Sequence, residues 1–267
     1  MMGKDAWTLI GAPRPFDQEF KFVTSPFLSP LVLGTIRLLL AFYTLITLLT
    51  ILIREAVITH DADSFFSYFT ELSYIGLCSY FWASAVQTLC FARRSGDKPS
   101  YPLQTWPRFL QFLHSLLWST VTVFPFIVTP VFWILLSSPS TFKSTFSAWE
   151  NISVHALNSV FALFEITVSN VSPQPWVHSI FLIILLGAYL CVAYITHATQ
   201  GFYTYGFLNP VKEKGFLAVY IVAIAIAGFA IFFIVRGLCW LKNRLFFRSS
   251  LHGVNLAVEY EKEAIVV

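Results

Sequence analysis

Few residues of this 267-residue chain could do chemistry, and most of them lie inside apolar runs. Asn151, His155, Asn158 and Glu165 stand at i, i+4, i+7 and i+14. On a helix of about 3.6 residues per turn these positions share one stripe. A buried His in such a stripe can act as a general base, with Asn151 or Asn158 orienting its imidazole. A second group, Phe69-Thr70-Glu71-Leu72-Ser73-Tyr74, puts Thr70 and Tyr74 on one face, with Glu71 rotated by about 100°. A Thr hydroxyl is a weak nucleophile until a base stands beside it. The plainer readings are also open. Polar stripes on membrane helices hold helices together, and a Thr in lipid commonly bonds its own i−4 carbonyl.

The elements that must position these groups are set by the solvent. Apolar residues make up 57% of the chain, aromatic residues 18% and charged residues 12%. A soluble domain carries about 25% charged residues. This composition predicts an all-α multipass membrane protein, in an endomembrane or the plasma membrane, and the small net charge of +3 argues against a nucleic-acid partner. A helix needs about 20 mostly apolar residues to cross a bilayer. Six stretches qualify: 31–53, 64–92, 109–137, 146–169, 177–196 and 215–235. They divide the chain into an N-terminal segment 1–29, a six-helix transmembrane domain 30–240 and a tail 241–267. Segment 1–29 has no apolar core of signal-peptide length, so targeting is expected from the first span. Of the 17 Lys and Arg, only Arg54, Lys143, Lys212 and Lys214 fall on the side opposite the termini. The positive-inside rule then puts both termini in the cytosol. Arg37, near one end of the first span, is expected to snorkel toward the interface.

On this layout Thr70 lies about six residues, or roughly 9 Å, below the non-cytosolic surface, and His155 roughly 14 Å below it. His197 ends the fifth span on the same side. His114 and His178 fall where interfacial residues would. His60 belongs to a loop, His60-Asp61-Ala62-Asp63, best read as solvated. Paired histidines at two depths are lacking, which argues against haem, and no cofactor or metal is implied. Cys78, Cys90, Cys191 and Cys239 show no paired spacing and read as small buried apolar residues. The sequons at Asn151 and Asn170 sit in a span and in a cytosolic loop, so neither suits glycosylation. The loop 198–214 carries Phe202, Tyr203, Tyr205 and Phe207, which suit an aromatic belt or a lid over a lipid-binding mouth.

Several of these stretches resemble the androgen-induced protein family. The segment from Trp149 to His155, with Glu165 ten residues on, is similar to its fourth-helix signature. Phe69-Thr70 looks like its threonine site, and Val131-Phe132-Trp133-Ile134 matches a third-helix run. The segment from His197 to Leu208 matches its fifth-loop pattern, with Ala198 where animal members carry a second His. The likeness runs in order over roughly residues 30–240 and has the look of the family's fungal branch. It implies a membrane hydrolase that cleaves fatty-acid esters of hydroxy fatty acids, with Thr70 as nucleophile and His155 as base. The lipid substrate would arrive from the bilayer. Asn151 would orient His155, and His197, Tyr74 and Asn158 are candidates for stabilising the oxyanion. A non-catalytic membrane scaffold or regulator is the alternative. A transporter is disfavoured by the missing internal repeat and the scarcity of acidic residues in the spans.

Overall fold

The computed structural model describes residues 5–94 and 99–247. Among these, six helices are long and apolar enough to cross a membrane, and no strand is present. The spans run Pro30–Thr59, Phe69–Arg93, Arg108–Leu136, Thr145–Val168, His178–Gln200 and Phe216–Phe246. Successive spans alternate in direction, so both described ends of the chain lie at one end of the bundle. The chain is a multipass integral membrane protein. Its outer faces carry Ile180, Ile184, Val219, Val222 and Ile226 toward the surroundings, as lipid contact requires. Cys191 also lies on the outer face of the fifth span, not in the interior. The tail from residue 248 lies outside the described residues.

The first two spans pack along their length. At Gly34 they lie close together, and a Cβ there would fall 2.8 Å from the Leu89 side chain and 3.3 Å from its amide nitrogen. Only glycine allows the helices that close. Arg37 does not snorkel. It lies roughly 10 Å along the first span, is wholly buried, and points into the bundle. Its Nε and Nη2 donate to both carboxylate oxygens of Glu165 on the fourth span, at 2.8 and 2.7 Å. Its Nη1 donates to Thr88 Oγ1 on the second span and to the carbonyl of Phe22. Tyr80 donates to Glu165 Oε2 at 2.8 Å. The physical reason is the partner: an Arg with a bidentate carboxylate inside the bundle need not reach the interface. Near the same level Lys242 donates to the carbonyls of Ile166 and Ser169, tying the sixth span to the fourth.

The N-terminal segment is folded onto the bundle. Phe16 and Val23 are buried with Phe91, Tyr101 and Leu103. Asp17 accepts from the Tyr101 hydroxyl at 2.6 Å and from the amides of Lys21 and Phe22. His178 is fully buried, not interfacial. Its Nε2 donates to the Ile10 carbonyl at 3.0 Å and its Nδ1 accepts from Ser119 Oγ at 2.6 Å. His114 is also buried, beside the Tyr80 ring. Asn170 is buried against Thr24.

The buried ion pair sets a stability test. Arg37→Met should destabilise the protein by about 3–5 kcal/mol, because it leaves the Glu165 carboxylate buried without its cation, with the Tyr80 hydroxyl as its remaining donor. Arg37→Met combined with Glu165→Met should recover most of that loss. Unfolding in detergent micelles measures both, and a single variant as stable as wild type would refute the clamp.

Candidate active site

The second span begins at Phe69, five residues later than the apolar run suggests. Residues Ala62–Ser67 form a tight 3-10 turn instead, and Ser64, Phe65 and Ser67 in it are buried. A turn inside the bundle must have its polar groups satisfied. The Ser67 carbonyl accepts from the Tyr189 hydroxyl at 3.2 Å, and Ser67 Oγ from Thr196 at 3.0 Å. The Asp63 carbonyl accepts from Gln200. These bonds hold the start of the second span at the level of the middle of the fourth.

Thr70 is therefore in a first helical turn. Thr35, Thr44, Thr88, Thr122, Thr167 and Thr199 all bond their own i−4 carbonyls. Thr70 has its i−4 residue in the preceding turn, and its hydroxyl meets His155 instead. Thr70 Oγ1 lies 3.3 Å from His155 Nε2, and both residues are buried. Catalytic hydrogen bonds are often this long before substrate binds.

His155 is held by its backbone and by one ring face. It stands in a π turn, Ser153–Leu157, within the fourth span. The Phe132 ring stacks on its imidazole at 3.5 Å with 9° between planes. Trp133 Nε1 donates to its backbone carbonyl at 3.0 Å. Phe132 and Trp133 open a second π turn, Phe132–Leu136, on the third span. π turns are rare and concentrate at functional sites. For Thr70 to donate to Nε2, the ring must carry its proton on Nδ1. That nitrogen interacts with the Asn151 backbone carbonyl, outside full hydrogen-bond geometry.

The other expected residues lie elsewhere. The Asn151 side chain donates to the carbonyls of Ser147 and Thr141, not to the imidazole. The π turn explains this: one extra residue in the turn rotates the helix on its N-terminal side by roughly 100° against the helix on its C-terminal side. Asn158 Oδ1 accepts from Thr129 and from the Ser159 amide, which joins the third and fourth spans. His197 stacks on Tyr203 at 3.8 Å. Tyr74 is buried with its hydroxyl near Thr47. The structure brings together Thr70 and His155, and among the described residues the side chains of Asn151, Asn158, His197 and Tyr74 make no hydrogen bond to either of them.

A cavity of about 190 Å³ adjoins Thr70. Its wall is hydrocarbon from the third, fifth and sixth spans, closed at one end by Tyr189, Tyr205 and Phe207. His155 sits behind Thr70 and Phe132 and does not line it. Gly187 does, on the outer face of the fifth span, and a Cβ there would meet nothing within 4 Å. The cavity thus opens sideways, toward lipid.

A family model described as FAR-17a/AIG1-like protein matches residues 35–243. The chain belongs to the FAR-17a/AIG1-like family. No curated protein and no solved structure matches it. The family match begins after the N-terminal segment and spans every residue that builds the site. Reading the sequence for histidines and hydroxyls gave Phe132 and Trp133 only as part of a family run and Tyr205 only as an aromatic-belt or lid residue, and did not place them beside Thr70 and His155. The signal for them was present in the aromatic stretches of the third span and the loop after the fifth span.

Gly187→Leu should leave the fold intact and fill the cavity mouth. Crosslinking of a photoreactive alkyl probe to the wild type should fall several-fold in the variant. Equal crosslinking would mean that chains do not occupy this cavity.

Proposed function

We propose that this FAR-17a/AIG1-like protein is a membrane-embedded lipid-ester hydrolase, with Thr70 as nucleophile and His155 as general base. The observation that carries this reading is a Thr hydroxyl within reach of a His nitrogen, at the closed end of an apolar cavity that opens toward lipid. Here Nε2 faces a hydroxyl freed from the usual backbone bond.

The chemistry stems from the placement. An acyl chain enters from the bilayer past Gly187 and lies in the cavity, with its ester carbonyl at Thr70. His155 Nε2 takes the Thr70 proton as Oγ1 attacks the carbonyl carbon. The tetrahedral intermediate collapses. The C–O bond to the alcohol part breaks, and the imidazolium gives its proton to the departing oxygen. An acyl-threonine remains. Water then attacks it with His155 again as base, releasing the fatty acid and restoring Thr70. Phe132 and the Asn151 carbonyl hold the ring for both transfers. The family resemblance favours fatty-acid esters of hydroxy fatty acids. Such a substrate places one chain in the cavity and leaves the second to the bilayer.

Fluorophosphonate labelling of the protein in membranes tests this, with wild type beside Thr70→Ala and His155→Ala. Label should appear on wild type and vanish from the first variant. The second should react about 10²–10⁴-fold more slowly, the usual range for losing a general base. Folded wild-type protein that takes no label would overturn the proposal and leave a scaffold, with the polar stripe as a packing feature.

A further inference from the structure

Attack on an ester carbonyl puts a full negative charge on its oxygen. In a hydrocarbon-walled cavity such a charge is costly without a donor. Apart from hydrocarbon, the cavity wall offers the side-chain hydroxyls of Thr70, Tyr189 and Tyr205. Thr70 is the attacking group, and its proton goes to His155. Tyr189 has one proton, and its oxygen lies 3.2 Å from the Ser67 carbonyl, which can only accept, and 3.1 Å from Thr204 Oγ1, which can donate in return. Tyr205 differs. Its oxygen accepts the Phe69 amide at 3.1 Å, and among the described residues its own proton has only the Thr70 and Tyr189 hydroxyls within reach, not a carbonyl. The same hydroxyl reaches the Thr70 side chain.

We infer that Tyr205 is a catalytic residue of the proposed hydrolysis, its phenolic O–H donating to the oxyanion formed when Thr70 attacks. The inference rests on the hydrolase reading of the same site. Two further features support it. The second span has no side-chain N-cap, and Phe69 is its first residue. Its positive end therefore points at the Tyr205 oxygen and at Thr70, where negative charge would develop. Accepting the Phe69 amide also polarises the phenol and strengthens it as a donor. Burial, together with Tyr189 and Glu71, raises the phenol pKa well above the ordinary value, so the proton stays in place at neutral pH. The residues that the sequence suggested for this role, His197, Tyr74 and Asn158, do not line the cavity.

Tyr205 is delivered by the loop that comes after the fifth span, not by a helix. Its ring stacks on Phe207 at 5.2 Å with 4° between planes and contacts Tyr68 and Tyr189. Tyr194 donates to the Leu208 carbonyl and anchors the same loop. The aromatic packing gives the phenol a fixed direction, which an oxyanion donor needs to avoid reorganisation during reaction.

The plain alternative is that Tyr205 only caps the second span. The full chain in lipid nanodiscs separates the two, with a medium-chain p-nitrophenyl ester as substrate. Tyr205→Phe keeps the ring and removes the hydroxyl. It should lower kcat by about 10²–10³-fold, with KM and the thermal midpoint close to wild type. Replacing Tyr205 with 3-fluorotyrosine, a more acidic phenol, should restore kcat to the wild-type level or above. Tyr205→Phe with wild-type kcat, in a protein whose labelling depends on Thr70, would overturn the role of Tyr205 alone. So would a lowered kcat that 3-fluorotyrosine does not rescue. A wild type with neither turnover nor label at Thr70 would overturn both this role and the hydrolase reading.

Discussion

A buried charge pair is the constraint on which the arrangement depends. Arg37 and Glu165 are separated by most of the transmembrane domain in sequence, and neither can be left alone in a low-dielectric interior. Their fork-to-fork contact has one workable geometry, which fixes how the first and fourth spans face each other. Thr88 and Tyr80 bring in the second span through the same two side chains. The Phe22 carbonyl brings in the N-terminal segment. Thr70 and His155 ride on the second and fourth spans, so the clamp also sets the rotation of both helices that carry them. Such a pair gains little net stability over a well-packed apolar core, but it penalises every misaligned packing. Membrane helices need that selectivity, since lipid and protein interiors are about equally apolar.

The clamp lies toward the end of the bundle that holds the termini, and the Thr70–His155 pair lies toward the other end. Between them regular helix gives way to irregular backbone. Two π turns and one partly buried 3-10 turn meet around His155 and Thr70. Irregular backbone at membrane depth survives only where protein satisfies its polar groups. Aromatic side chains with a polar tip do this here. Trp133 takes the His155 carbonyl, Tyr189 takes the Ser67 carbonyl, and Tyr205 takes the Phe69 amide. These side chains suit the task because their bodies pack in hydrocarbon while one atom bonds. The aromatic content of the chain is therefore not only lipid-facing bulk.

Six spans and an inward-facing polar stripe were legible in the sequence because both arise from the cost of polar groups in lipid. The pairing of Thr70 with His155 was legible from depth and from family resemblance, but not from either span alone. Arg37 shows where such reading ends. Near a span end, an Arg that snorkels and an Arg that turns inward have the same sequence context, and the partner that decides is 128 positions away. Asn151 shows a second limit. Its position in the stripe assumes an unbroken 3.6-residue period, and the π turn shifts that phase before His155. Tyr205 shows a third. A loop tyrosine has no periodicity to betray where its hydroxyl points. Segment 1–29 read as a cytosolic segment outside the transmembrane domain because its apolar residues, Phe16 and Val23 among them, are too scattered to form a pattern before their partners are known.

The six spans do not share the work evenly. The most apolar stretches of the second and third spans are 50% buried, while those of the fifth and sixth are 17% buried. The first four helices form the tightly bonded part and hold the Thr70–His155 pair. The fifth and sixth form most of the wall facing lipid, with open space at Gly187. The catalytic pair proposed above would need positions fixed to a fraction of an ångström, whereas the lipid chain proposed for the cavity would need a wall that yields. Placing these demands on different helices satisfies both. The loop that carries Tyr205 joins the two yielding spans, yet its hydroxyl bonds the first residue of the second span. It is thus the point at which the lipid-facing wall is registered against the rigid core.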